Sequence, residues 1–141
     1  MPEHYLGYNF TAPIMGNFVP QRVQNLCIRD YARANGLTLT FTVSEYFDVR
    51  RALMLFGQFE HANVGGFVFY SLLMLPADHA RRRAFYDRVA EKGIVVHFAL
   101  EALVMRSPGD RERLDRMYRI GTDERLERTR ETLIRMREAP R

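Results

Sequence analysis

The chain has 141 residues, 47% of them hydrophobic and 12% aromatic, a length that fits one domain and a composition too apolar for disorder. Its single cysteine, Cys27, excludes an internal disulfide framework, and a formal net charge of +4 is too small for a polybasic nucleic-acid surface. The opening MPEHYLGYNF lacks a basic-then-apolar signal pattern, and the longest apolar stretch, Phe67 to Leu75, is about half of the ~20 residues that a membrane helix needs. A cytoplasmic protein without membrane contact is therefore expected. All basic residues except Lys92 are arginines, a bias that suits bidentate anion contacts and is equally produced by codon usage.

In chain order, His4 to Phe10 reads as a strand, followed by a loop containing Pro13 and Gly16. Pro20 stands where a first helical position belongs, Val23, Cys27, Ile28 and Tyr31 recur at helical spacing, and Gly36 closes that helix. Leu37, Leu39, Phe41 and Val43 alternate with threonines as a second strand. Ser44 and Asp48 are candidate caps for a helix from about Val49 to His61, which Gly65-Gly66 breaks. Phe67 to Tyr70 is a short apolar run of the kind a buried parallel strand shows. Pro76 and Asp78 open a helix ending at Gly93, and Ile94 to about Leu100 forms a fourth strand. Ser107-Pro108-Gly109-Asp110 reads as a further helix start, and Gly121-Thr122 divides the last helical region in two.

Strands alternating with helices imply a parallel sheet with right-handed crossovers. The expected fold is α/β, a flavodoxin-like or resolvase-like three-layer domain with a four-stranded parallel sheet and C-terminal helices. The α/β domain is expected over residues 1–104 and a helical extension over 105–141. In that extension Leu126, Thr129, Leu133 and Met136 share a/d-type spacing, which suits a homodimer or larger homo-oligomer and equally a helix packed on its own domain.

Ligands of open α/β sheets bind beyond the carboxyl ends of the strands. That rule selects Thr11 and Asn17 after the first strand, with Gln21 and Arg22 in the next helix's first turn, where free N–H groups favour phosphate. It adds Ser44, Glu45 and Tyr46 after the second strand, Tyr70 and Ser71 after the third, and His97 and Glu101 around the fourth. Glu45, His97, Glu101 and Tyr70 are the catalytic candidates. Thr11, Asn17, Gln21, Arg22, Asn25, Arg29 and Ser71 are the substrate-binding ones. Glu45 and Glu101 sharing one pocket would push one carboxyl up and divide acid from base. Each residue also has a structural role open to it. Ser44 suits a helix cap, His97 within IVVHFAL suits a buried ring with a backbone partner, and Asn25 and Arg29, one turn apart, suit surface structure. Cys27 lies on the apolar stripe as a core thiol. The histidines show no metal spacing, and neither GxGxxG nor a Walker motif occurs, so no metal or cofactor is expected.

Two resemblances carry further expectations. Gly7-Tyr8, the next helix with Gln21 and Gln24, and FALEAL at Phe98–Leu103 resemble the catalytic domain of serine recombinases over residues 4–104. That family carries a strand-end serine nucleophile and an arginine cluster. Here the matching loop is FTAP, with Thr11 and Ala12 in place of an Arg-x-Ser pattern, and YSLLMLP lacks the arginines. The resemblance thus implies the fold without the activity. GYNF at Gly7–Phe10, PQRVQNLCIRDY at Pro20–Tyr31, SEY at Ser44–Tyr46, YSLLMLP at Tyr70–Pro76 and HFALE at His97–Glu101 resemble a small bacterial sporadic carbohydrate cluster family. Thr11-Ala12-Pro13 departs from its Ser-Arg-Pro. This resemblance implies surface glycan assembly and a sugar phosphate or nucleotide sugar as ligand, without specifying a reaction. An isomerase, lyase or transferase stands beside a non-catalytic recombinase-like binding or regulatory module. The balanced charge argues against nucleic acid.

Overall fold

The computed structural model describes residues 4–46, 48–60 and 64–138, with only the backbone described over 124–130. Five strands form one sheet: β1 (His4–Phe10), β2 (Thr38–Glu45), β3 (Val64–Phe69), β4 (Val95–Phe98) and β5 (Leu103–Met105). The helices are α1 (Gln21–Ala34), α2 (Leu53–Gly57), α3 (His79–Lys92), α4 (Pro108–Gly121) and α5 (Glu124–Glu138). The strand order is β2-β1-β3-β4-β5, the flavodoxin-like order. β1 to β4 pair in parallel, and β5 returns antiparallel on β4. The expected four-stranded sheet therefore gains a fifth strand. It is only three residues long and follows a tight turn in which Ala102 adopts a left-handed conformation, too short for alternation to reveal.

Side-chain alternation assigns the two faces. Tyr5, Gly7 and Asn9 of β1 face α1: a Cβ on Gly7 would meet Ile28 at 3.3 Å, and Asn9 bonds Asn25. Leu6, Tyr8 and Phe10 face α2, α3 and α4, where the core is aromatic. Phe85 of α3 packs on Phe59, Phe67 and Phe69 with ring centroids 5.7, 6.3 and 5.8 Å apart, and Phe69 meets Phe98 edge-on at 5.4 Å. Each such ring contributes about 1.5–3 kcal/mol by burial. Among the described residues α1 covers the other face, through Gln24, Ile28 and Ala32.

Three local expectations are corrected. The helix expected over Val49–His61 is cut to α2 and a 3-10 turn at Gln58–Glu60, because Glu45 rather than Ser44 or Asp48 caps it; His61 lies outside the described residues. Ser44 belongs to β2, and the Asp48 carboxylate accepts from Arg51 N–H at 3.3 Å. Gly65-Gly66 lies inside β3 rather than breaking the chain. There β3 passes so close to β4 that a Cβ on Gly66 would stand 1.9 Å from the Val95 carbonyl oxygen. Pro20 is the residue before α1 and not its first.

The α3–α4 packing closes on one buried carboxylate. Asp115 is fully buried; its Oδ1 accepts from Arg82 Nε at 2.8 Å and from the Tyr86 hydroxyl at 2.7 Å. Oδ2 makes no hydrogen bond but stands 3.1 Å from Arg119 Nε and 3.6 Å from Arg83 Nη2. Arg82, itself 4% exposed, also donates to the Pro76 and Ala77 carbonyls and lies 4.6 Å over the Tyr118 ring. Burial pushes the Asp115 carboxyl up, but the bonds from Tyr86 and Arg82 and the charges of Arg82 and Arg83 outweigh it and hold the group below its usual range.

Asp115→Ala leaves the Arg82 guanidinium buried without its counter-ion and is expected to cost about 3–5 kcal/mol in urea unfolding. Because the folded pKa is depressed, this carboxylate's contribution is complete at neutral pH and is lost as pH falls through the carboxylate range. An Asp115→Ala protein as stable as wild type at pH 7 would contradict the network.

Candidate functional site

The sheet's carboxyl edge is organised by Gln24, which the sequence offers within a motif resemblance but not among the site candidates. This side chain is fully buried in α1 and replaces a missing strand neighbour. Its Oε1 accepts from Phe10 N–H at 2.9 Å, and its Nε2 donates to the carbonyls of Phe10 at 2.9 Å and Val19 at 2.8 Å. The end of β1 and the end of the 11–20 loop are thereby tied to one helix position. Its signal in the sequence is a polar residue on the helix's apolar stripe, four positions before Ile28. The loop itself turns tightly at Ile14–Asn17, which exchange two backbone hydrogen bonds across Met15 and Gly16, both at positive φ.

Against α1 lies a polar network. Asn9 is 1% exposed, and its Nδ2 donates to Asn25 Oδ1 at 2.7 Å. Gln21 Nε2 donates to Asn9 Oδ1 at 3.2 Å and to the Ser44 hydroxyl oxygen at 3.2 Å. Asn9 was also missed, because within a strand it reads as one polar residue among aromatics. Gln21, Asn25 and Ser44 are brought together as the strand-end rule implied. The network leaves Gln21 Oε1 and Asn25 Nδ2 without a protein partner among the described residues, so it presents both an acceptor and a donor. Arg22 and Arg29 stand exposed on the same helix; Arg29 Nε reaches the Asn25 carbonyl at 3.5 Å. Pro20 provides no side-chain cap, so the first turn of α1 keeps open N–H groups.

The other candidates disperse. The Thr11 hydroxyl and N–H both point at the Glu45 carbonyl, at 3.4 and 3.1 Å. Asn17 is exposed, and its amide donates to the Met15 carbonyl within its own turn. Tyr46 is 63% exposed. Glu45 is fully buried on the opposite face: its carboxylate accepts from the Tyr8 hydroxyl at 2.7 Å and from the N–H groups of Met54 and Leu55 at 2.9 and 3.2 Å. It caps α2, whose own N-cap, Ala52, is left-handed and has no side-chain acceptor. Burial and the carboxylate together push the Tyr8 phenol far up, so it stays protonated as the donor.

Glu101 sits in the β4–β5 turn and caps a different element, a 3-10 turn at Leu72–Met74. It accepts from the Ser71 hydroxyl at 2.7 Å and from Leu72 N–H at 3.0 and 3.1 Å, while Ser71 accepts in turn from Leu73 N–H. Glu45 and Glu101 end strands three places apart in the sheet, roughly 14 Å at the usual strand spacing, and point to separate partners. The two carboxylates therefore do not share a pocket, and the condition under which one would divide acid from base is not met. Tyr70 is 9% exposed and near Cys27 and Glu101; burial, then the charges of those two groups, pushes its phenol up. Burial first, then Asp30 and Glu101, raises the Cys27 thiol, which therefore stays protonated. His97 is 3% exposed, bonds the Tyr31 hydroxyl through Nδ1 at 2.8 Å and meets Tyr5 edge-on at 5.5 Å. Burial, and secondarily the Arg106 charge, lowers it to about 4, so it is a neutral packing ring at physiological pH.

No family model matches this chain, and no curated protein matches it in sequence. Among solved structures the chain is similar to the N-terminal catalytic domain of TP901-1 integrase, with a TM-score of 0.56 and 17% identity, covering 88% of this chain and 98% of that one. The likeness shows a resolvase-like α/β fold with a mostly parallel five-stranded sheet.

Two outcomes follow from this geometry. Glu45→Gln turns one carboxylate acceptor into a donor facing N–H groups and is expected to cost about 1–3 kcal/mol in urea unfolding followed by circular dichroism; unchanged stability would refute the capping role. Protonation of His97 is favoured in the unfolded chain from about pH 6.5 but in the folded one only near 4. Stability is therefore expected to fall as pH drops through that window, and less steeply in His97→Gln. Equal slopes in the two proteins would refute it.

Proposed function

We propose that this chain is a binding module on a resolvase-like scaffold, which takes a phosphorylated sugar at the carboxyl edge beside α1 and performs no covalent chemistry on it. The observation that carries this reading is the Asn9–Asn25–Gln21–Ser44 network. Neutral amides and a hydroxyl present donors and acceptors together, which matches sugar hydroxyls, themselves both donors and acceptors. Arg22, Arg29 and the open first turn of α1 supply the electrostatics for a phosphate. The carbohydrate context comes from the motif resemblance and agrees with this chemistry.

Catalysis lacks its parts among the described residues. The Ser44 hydroxyl faces an amide and the Thr11 hydroxyl a carbonyl, so neither has a base. Ser71 is 2% exposed and its partner Glu101 is committed to a backbone N–H. Glu45 is locked on the far face. A nucleophile needs a base within reach and an approach for substrate.

The reading extends to self-association through α5. Leu133, Ile134 and Met136 are 61%, 44% and 70% exposed on a helix otherwise rich in charge, a face that a second copy would cover. The Leu126 and Thr129 side chains, which complete the expected stripe, lie outside the described residues.

Thermal shift with sugar phosphates, nucleotide sugars, inorganic phosphate and a DNA duplex at two salt concentrations tests the ligand. At ~100 times its dissociation constant a true ligand adds about 2.7 kcal/mol, or roughly 10 °C for a chain of this size. Gln21→Ala is expected to reduce that shift without changing the unliganded midpoint. Silence across all the sugars, or a salt-sensitive response to DNA alone, would overturn the assignment. Light scattering after gel filtration is expected to show a dimer that Leu133→Glu with Met136→Glu returns to monomer; a monomeric wild type at high concentration would overturn that part.

A further inference from the structure

The opposite edge of the sheet carries a second feature. Where the last turns of α3 approach the first turn of α4, beside the start of β4, two adjoining cavities of about 250 and 220 Å³ meet at Pro108 and Arg111. The larger has an apolar floor that includes Val89, Ile94 and Met105, and Arg106 and Arg111 also line it. Met105 is fully buried and Val89 and Ile94 nearly so, so the floor belongs to the packed core. Arg111 Nη1 donates to the Tyr86 carbonyl at 3.1 Å, which holds its guanidinium on the wall between the cavities and uses one of its five donors.

Most arginines of α3 and α4 are ion-paired, Arg81 and Arg116 being exceptions among the described residues, and the unpaired Arg106 and Arg111 differ from those two in lining the cavity. On α3 and α4, Arg82, Arg83, Arg88, Arg113 and Arg119 each lie against a carboxylate. Arg106 and Arg111 pair with none among the described residues. Of the two acidic residues that flank Arg111, Asp110 is spent on the α4 capping box, where it accepts from the backbone N–H of Arg106 and Ser107, and Glu112 pairs with Arg83. No carboxylate lines the larger cavity, whereas Asp87 and Glu112 line the smaller one beyond Arg111. The larger cavity thus joins an apolar floor to unneutralised cations. Its volume lies just below the range of drug-sized ligand sites and suits a single ring with a head group.

We propose that this cavity binds a small organic anion with an apolar body, a phosphate monoester or a carboxylate, whose head meets Arg111 and whose body rests on Val89, Ile94 and Met105. The site is independent of the amide network, which lies at the other end of the strands. Guanidinium takes both head groups through paired N–H donors, so phosphate and carboxylate share one recognition chemistry.

Titration calorimetry and thermal shift on the full chain test it with phenyl phosphate and benzoate as probes and with phenol and inorganic phosphate as controls. Arg111→Gln keeps a donor for the Tyr86 carbonyl while removing the charge. Ala90→Leu fills the larger cavity from an exposed position on α3 and leaves Arg111 untouched. At least one of the two probes is expected to bind more tightly than either control. Its affinity is expected to fall roughly tenfold or more in Arg111→Gln and in Ala90→Leu, and to be unchanged in Gln21→Ala. Should Arg111→Gln not fold, the Ala90→Leu result decides. The proposal is overturned if neither probe binds folded wild type, if phenol binds as well as both probes, or if the cavity variants bind as wild type does.

Discussion

A helix that begins against a sheet brings unpaired N–H groups to a place water does not reach, and each must find an acceptor. In this protein strand ends and turns meet that requirement repeatedly. Glu45, at the end of β2, accepts the first N–H groups of α2. Glu101, in the turn after β4, accepts that of the 3-10 turn at Leu72. The relation inverts at β1, where Gln24 of α1 satisfies the strand's last residue in both directions. The architecture of the carboxyl edge follows from these three side chains, since each joins elements that are remote in the chain.

The same requirement redistributes the chemistry. A carboxylate with two or three protein donors has little capacity left for a substrate, and a glutamate buried among helix N–H groups is a cap however suggestive its strand-end position. Among the described residues, the α1 network keeps neutral polar capacity in the Gln21 and Asn25 amides and the Ser44 hydroxyl, flanked by Arg22 and Arg29. Under the proposed reading such a set recognises and orients, and among the described residues no base is hydrogen-bonded to the Ser44 or Thr11 hydroxyl. The likeness in fold to an integrase catalytic domain, at 17% identity, bears on the scaffold alone.

Asymmetry between the faces is the other organising feature. Among the described residues α1 covers one face, while α2, α3 and α4 build an aromatic core on the other. The second face also holds two buried carboxylates, Glu45, which caps α2, and Asp115, whose bonds hold α3 to α4. At the far edge of that α3–α4 seam Arg106 and Arg111 carry no ion pair among the described residues, and the cavity they line has a floor of buried side chains.

From sequence alone the α/β class, the first four strands, the main helices and the division at Gly121 were legible, because periodicity and end signals are local. Pro20, Asp78 and the Ser107–Asp110 capping box announce helix starts within a few residues of where they act. The presence of polar groups at strand ends was legible for the same reason. Their roles were not. Gly65-Gly66 reads as a break and is instead a strand, since only the approach of the Val95 carbonyl shows why no side chain fits. Glu45 and Glu101 look alike in sequence and differ in what they cap, which depends on partners nine and twenty-nine residues away. Local spacing determines which elements form; which polar group is spent holding them together, and which is left for a ligand, is decided only when the packed chain shows which donors and acceptors have been removed from water.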